Sequence, residues 1–159
     1  MPFRELEKLG PPQLRIADLR VWVHGRQFPD ALDYWDGNWL RVTACCSNPN
    51  SSVQADGPIV HLGELVRLCA TLKQLYESLK GQALLKCMEP NLGVSLTASS
   101  NGHIDVRISI TPDQMTEEHV FKDTIDQTYL PPMIAACEAL LTLYPVREPE
   151  LLPKHETAA

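Results

Sequence analysis

Apolar residues alternate strictly with small or polar ones on both sides of residues 99–103, and this feature constrains the fold most. The apolar positions are Leu92, Val94, Leu96 and Ala98 before the break, and Ile104, Val106, Ile108 and Ile110 after it. A period of two is typical of strands that bury one face. Because a short loop containing Asn101-Gly102 separates the two segments, they predict a β-hairpin.

The length of the hairpin loop decides which residues face one another. A two-residue loop would set Ala98 opposite Asp105 and would bring charge into the core. A three-residue loop over residues 100–102, with Gly102 in the left-handed conformation of a G1 bulge, pairs Ala98 with Ile104 instead. We therefore predict the three-residue loop.

Five more strands flank this hairpin. A strand at residues 83–85 precedes it, with Ala83 opposite Leu96 across a short loop. A last strand at about residues 119–125 alternates poorly because Asp123 falls on its apolar face, so we expect it at a sheet edge. Nearer the N-terminus, alternation and turn residues predict three strands, at about residues 17–23, 40–46 and 53–55.

Two segments have the 3.6-residue period of an amphipathic helix. The first runs over about residues 62–80, and Gly81 is placed to supply a left-handed cap at its end. The second runs over about residues 129–144. It carries two prolines, which fit only in a first helical turn, and Pro145 ends it.

The element order βββαββββα predicts an α+β fold. We expect an antiparallel sheet of about six to seven strands with two helices packed on one face. The length of 159 residues is typical of one domain. Its expected span is 14–145, between a flexible N-terminal segment, 1–13, and a flexible C-terminal tail, 146–159.

Charge and hydropathy restrict the classes of partner. The chain has 20 acidic and 14 basic residues and a formal net charge of -6. Such a field repels phosphate backbones and attracts basic proteins, which argues against nucleic-acid binding. The sequence has no secretory signal and no run of about 18 apolar residues, so we expect a cytoplasmic protein without membrane contact.

Motifs that carry chemistry are missing. The five cysteines are odd in number and lie among apolar residues, as reduced core thiols do. The histidines are dispersed and none has the spacing of a zinc site. Phosphate-binding loops and nucleophile elbows are absent too. The sequence therefore predicts no metal, no cofactor and no catalytic residue.

The most unusual segment is the aromatic stretch DYWDGNWL at residues 33–40. One interpretation is structural: Trp39 starts a strand, Trp35 closes a small core, and residues 36–38 turn the chain. The other is an exposed aromatic and acidic patch of the kind enriched at interaction hot spots. The candidate binding residues on this second interpretation are Asp33, Tyr34, Trp35, Asp36 and Asn38.

Two motifs carry a resemblance, DYWDGNWL and the later DQTYLP at residues 126–131. With the order of strands and helices over about residues 16–145, they resemble a family of small bacterial immunity proteins of wall-associated polymorphic toxins. This resemblance implies a non-enzymatic protein that binds and neutralises a partner toxin and has no catalytic residues. The acidic charge matches such a partner, because nuclease toxins are often basic.

Two other functions stay open. Catalytic cysteine, histidine and carboxylate groups meet in space rather than along the chain, so an enzyme of this type is one alternative. It requires a thiol with a depressed pKa. The other alternative is a self-associating housekeeping subunit, such as a homodimer formed through the edge strand or a helix face.

Overall fold

The computed structural model describes residues 5–148. Parts of both ends that were predicted to be flexible, residues 1–4 and 149–159, lie outside the described residues. The helices are α1 Tyr34–Gly37, α2 Leu62–Ser78 and α3 Leu130–Leu143. The strands are β1 Leu14–Ile16, β2 Leu19–Arg26, β3 Trp39–Asn48, β4 Ser51–His61, β5 Gln82–Lys86, β6 Leu92–Ala98, β7 His103–Ile110 and β8 Val120–Asp126.

The predicted α+β class with antiparallel strands is confirmed, but the prediction of a single sheet of about six to seven strands is wrong. The strands form two four-stranded sheets, in the orders β1-β2-β3-β4 and β5-β6-β7-β8. Alternation shows which side of a strand is buried, but it does not show which strands are neighbours. The chain leaves the first sheet through α2, and strands β3 and β4 contact β7 across one shared core.

The two long helices span both sheets instead of covering one face of one sheet. Helix α2 packs against β4, β5 and α3, and α3 also packs against β1. The apolar stripe of α2 is fully buried at Leu68 and Leu72. The two prolines of α3 occupy its first turn, as predicted.

The predicted registers of the second sheet are confirmed. Ala98 pairs with Ile104, and Ala83 pairs with Leu96. Gly102 is left-handed with φ 75°, as the three-residue loop requires. Strand β8 lies at an edge of this sheet, where its poor alternation placed it.

Two local predictions are wrong. Ala17, expected in a strand, lies in the turn between β1 and β2 with φ 51°. The left-handed cap of α2 is Leu79 with φ 54°, two residues before the expected Gly81. The helix ends early because the Ser78 hydroxyl accepts a hydrogen bond from the Lys80 amide at 3.2 Å and competes with the helical pattern.

Strand β2 forms hydrogen bonds with the segment that precedes β1. The buried indole of Trp22 donates a hydrogen bond to the Gly10 carbonyl at 2.8 Å. The side-chain oxygen of Gln13 accepts from the Val23 amide at 2.7 Å. These two contacts hold Gly10 and Gln13 against β2.

Candidate functional site

The aromatic turn, residues 33–39, is a one-turn helix that leads into β3. Asp33 is its N-cap, and its carboxylate accepts a hydrogen bond from the Asp36 amide at 3.0 Å. Aspartate is among the preferred residues at this position because it satisfies an amide that the helix leaves without a partner. The Gly37 amide also donates to the Asp33 carbonyl at 3.0 Å. Hydrogen bonds within residues 33–37 therefore close the turn.

Asn38 joins this turn to the C-terminal part of the chain. The side chain is 0% exposed, and its amide nitrogen donates to the carbonyls of Tyr34 at 2.7 Å and Arg147 at 2.9 Å. Its oxygen accepts from the Arg147 amide at 2.9 Å and from the Arg26 guanidinium at 3.3 Å. A buried amide with all of its groups bonded positions the backbone on both sides.

Two arginines fill the space around the turn. Arg26 donates to the Gly37 carbonyl at 2.7 Å and to the Pro145 carbonyl at 2.6 Å. Arg147 donates to the carbonyls of Pro29 and Ala31, both at 2.7 Å. Burial, with the nearby Arg147 charge, lowers the pKa of Arg26. The guanidinium groups of both arginines thus donate hydrogen bonds to backbone carbonyls in and around the turn.

His61 supports the turn from the opposite side. It is 1% exposed, and its Nδ1 accepts from the Gly63 amide at 3.1 Å. The proton is therefore on Nε2, which donates to the carbonyls of Tyr34 at 3.2 Å and Trp35 at 3.3 Å. The His61 ring centre also lies 5.0 Å to 5.6 Å from those of Tyr34, Trp35 and Trp39.

Glu64 completes a capping box at the start of α2. Its Oε1 accepts from the His61 amide at 2.8 Å, and its Oε2 accepts from the Met88 amide at 2.8 Å. Sequence reasoning missed both His61 and Glu64. The three-residue spacing between them, directly before an apolar helical run, is the signal that could have found them.

The predicted binding residues differ in how far their side chains are exposed. Trp35 is 55% exposed, Asp33 and Asp36 are exposed, and Tyr34 is half-buried. Trp35 therefore does not close a small core, as the structural interpretation required. Asn38 is the exception in the candidate set. It is buried, so in this conformation it supports the turn instead of presenting a contact surface.

A groove of about 90 Å³ lies beside Trp35. Tyr34, His61 and Gly63 form part of its lining, and Met88, which is 56% exposed, lies across from the turn. Arg67, Lys86 and Glu64 bring charges of both signs to the same groove. Its small volume suits a single side chain of a partner and is far below that of a typical cofactor site.

Gly63→Ala is expected to lower the free energy of unfolding by about 2 kcal/mol, the cost of overpacking. A Cβ at this position would lie 2.3 Å from the Tyr34 hydroxyl oxygen and 3.2 Å from His61 Nδ1. Urea unfolding measures the loss. Gly93→Ala is the matched control, because there the nearest atom, Leu85 O, is 4.0 Å away.

The same contact predicts a rescue. Tyr34→Phe removes the hydroxyl, and the next ring atom, Cζ, lies 3.4 Å from the new Cβ position, an ordinary contact. The double variant should therefore lose clearly less than the sum of the two single variants. If the losses of the two single variants simply added in the double variant, the Tyr34 hydroxyl would not be the reason that position 63 requires glycine.

Cys46, Cys69, Cys87 and Cys137 lack the depressed pKa that the enzyme alternative requires. Burial raises the pKa of Cys46 and Cys137 to about 12. Burial also raises the pKa of Cys69, and burial together with the Glu64 carboxylate raises that of Cys87. A nucleophilic cysteine needs the opposite shift, since the thiolate is the reactive form.

These shifts predict a loss of stability at alkaline pH. The unfolded chain releases thiol protons near pH 9.0, whereas folded Cys46 and Cys137 retain them to about 12. The free energy of unfolding should therefore fall as pH rises through this window, and less steeply in Cys46→Ala. Urea unfolding at several alkaline pH values measures the slope. Rapid labelling of any of the four thiols in the native protein would contradict this assignment.

No three histidine, cysteine or acidic side chains within residues 5–148 are grouped so that they could hold a metal ion. No helix in the same range is long and apolar enough to cross a membrane.

Comparison with known proteins identifies one family. The sequence model of the "Immunity protein WapI-like family" matches residues 13–145. This match covers most of the chain and confirms the resemblance to a family of immunity proteins. Neither the curated proteins nor the solved structures include a significant match.

Proposed function

We propose, since the chain belongs to the immunity protein WapI-like family, that it binds and neutralises a partner protein toxin without catalysing a reaction. The contact site in this proposal is the exposed part of the aromatic turn, Asp33, Trp35 and Asp36, with Tyr34 at its base. In this proposal the buried Asn38 holds the turn in place through its side-chain hydrogen bonds.

The observation that carries this proposal is an exposed tryptophan on a hydrogen-bonded backbone. The Trp35 side chain is 55% exposed, yet its own carbonyl is bonded to His61. Tryptophan is enriched at interaction hot spots. An anchor already held in position loses little conformational entropy on binding, which favours affinity.

The two exposed carboxylates of the turn indicate the chemistry of the partner. Asp33 and Asp36 lie on the exposed side of the turn, and the net charge of the chain is -6. Complementary charges accelerate encounter and disfavour wrong partners. A basic toxin surface would therefore meet these carboxylates while its apolar part covers Trp35.

Affinity capture tests the proposal. The tagged protein and its Trp35→Ala and Tyr129→Ala variants are incubated with lysate of the source organism, and bound proteins are identified by mass spectrometry. Tyr129 is the matched control because it is an aromatic residue with the same exposure, 55%. We expect one basic protein to be retained by the wild type and by Tyr129→Ala and to be lost with Trp35→Ala.

The complex should also weaken as salt rises, since the carboxylates of the turn are exposed and their interactions are screened. Equal retention by all three proteins would move the contact site away from Trp35. A stable oligomer of this chain on sizing, sensitive to Trp35→Ala, would instead favour the self-associating subunit.

A further inference from the structure

The outer face of the second sheet is open and carries an unusual set of side chains. The residues of β5, β6 and β7 that point away from the core include small ones, Gly93, Ser95 and Ser109. Two shallow depressions, of about 220 Å³ and 550 Å³, lie over this floor. Small floor residues allow another chain to approach the strands closely.

Two cations lie side by side on this face. Arg107 of β7 pairs directly with Lys122 of β8, and both side chains are exposed. Directly opposed residues on an antiparallel pair are about 5 Å apart at Cβ, and like charges in this arrangement are destabilising. Lys86 of β5 adds a third positive charge to the smaller depression, which Arg107 also lines from the other side of β6.

These three cations have no ion-pair partner among the described residues, although the carboxylates of Asp105 and Asp123 line the larger depression together with Arg107 and Lys122. Within the part of the chain that the structure describes, none of Lys86, Arg107 and Lys122 forms an ion pair, although Lys73 pairs with Glu138 at 3.7 Å elsewhere. Asp105 on the same face accepts a hydrogen bond from the Thr124 hydroxyl at 3.2 Å and does not pair with Arg107 or Lys122. The opposed cations Arg107 and Lys122 thus lie on an open sheet face without a salt bridge to any residue that the structure describes.

We propose that this patch, Lys86, Arg107 and Lys122, is a second docking surface that binds an acidic segment of a partner polypeptide. Carboxylates of that segment would lie between Arg107 and Lys122 and relieve their repulsion. The segment would cross the small-residue floor, where the Ser95 and Ser109 hydroxyls can bond to its backbone. A nucleic acid fits less well, because the net charge of -6 opposes a continuous phosphate backbone.

An NMR titration tests this surface through Arg107 and Lys122, neither of which lines the groove beside Trp35. The ¹⁵N-labelled full-length chain is titrated at low ionic strength with a hexaglutamate peptide and, separately, with a six-nucleotide single-stranded DNA. Hexaglutamate should shift the amide signals of Ser95, Arg107, Ser109 and Lys122. Arg107→Gln/Lys122→Gln should weaken its binding roughly tenfold, the worth of about two exposed ion pairs.

Arg41→Gln/Lys80→Gln is the matched control, since it removes the same two charges from exposed positions elsewhere. It should leave the titration unchanged. The thermal midpoint of Arg107→Gln/Lys122→Gln should be no lower than that of the control, because the substitution removes repulsion. Shifts scattered away from this face, equal effects of the two variants, or tighter binding of the DNA would each overturn the proposal.

Discussion

Asn38→Ala is expected to lower the free energy of unfolding by about 3 kcal/mol, at the upper end of effects for single substitutions. The alanine leaves the Arg147 carbonyl and amide without their buried partner and removes one of the two hydrogen bonds to the Tyr34 carbonyl. Each buried polar group that loses its partner costs about 1–3 kcal/mol, partly offset by relaxation. Urea unfolding followed by circular dichroism measures the change.

The control for this substitution is Asn50→Ala. Asn50 is exposed in the loop between β3 and β4, and its alanine variant should stay within about 0.5 kcal/mol of the wild type. Similar losses for the two variants would mean that the hydrogen bonds of Asn38 do not hold the turn to the segment at residues 145–147.

Glu64→Ala should cost about 3 kcal/mol for a related reason. The carboxylate is 5% exposed and accepts one amide hydrogen from His61 and one from Met88. Removing it leaves both amides unpaired and weakens the cap of α2. Glu64→Gln keeps one acceptor oxygen, so it should recover about half of the loss. Urea unfolding of the two variants gives the comparison.

Glu77→Ala is the control for Glu64→Ala. Glu77 lies exposed near the end of the same helix, so its replacement tests the loss of a helical carboxylate without the buried bonds. We expect a change within about 0.5 kcal/mol. If Glu64→Ala were as mild as Glu77→Ala, the capping box would not contribute to stability, and His61 would need another source of support.

Sequence reasoning succeeded where local chemistry is decisive. The register of the β6–β7 hairpin was predictable because the alternative would have placed Asp105 and Arg107 in the core. The two prolines in the first turn of α3 were predictable because they fit nowhere else in a helix. The edge position of β8 followed from a charge on its apolar face.

The division into two sheets was not predictable by the same means. Each strand alternates correctly in either arrangement, so alternation cannot distinguish one continuous sheet from two that face each other. The choice depends on α2, which must reach β4, β5 and α3 together. The choice between one sheet and two therefore depends on packing, and no residue type in the sequence indicates it.

The candidate site was predictable from the sequence only in its exposed part. Trp35, Asp33 and Asp36 were visible as an unusual cluster. Their supports were not, because Arg147 contacts Asn38 across 109 positions of sequence and Arg26 reaches Pro145 across 119. His61 has a sequence signal in its spacing to Glu64, but its contact with the carbonyls of the turn depends on the fold.

The most direct test of the central claim is the affinity of the captured partner, measured by titration calorimetry for the wild type, Trp35→Ala and Tyr129→Ala. If Trp35 is the anchor, its removal should weaken binding about thirtyfold or more, as the loss of a hot-spot residue does. Tyr129→Ala, with the same exposed fraction, should bind like the wild type. Wild-type affinity in Trp35→Ala would contradict the assignment of the aromatic turn as the binding site.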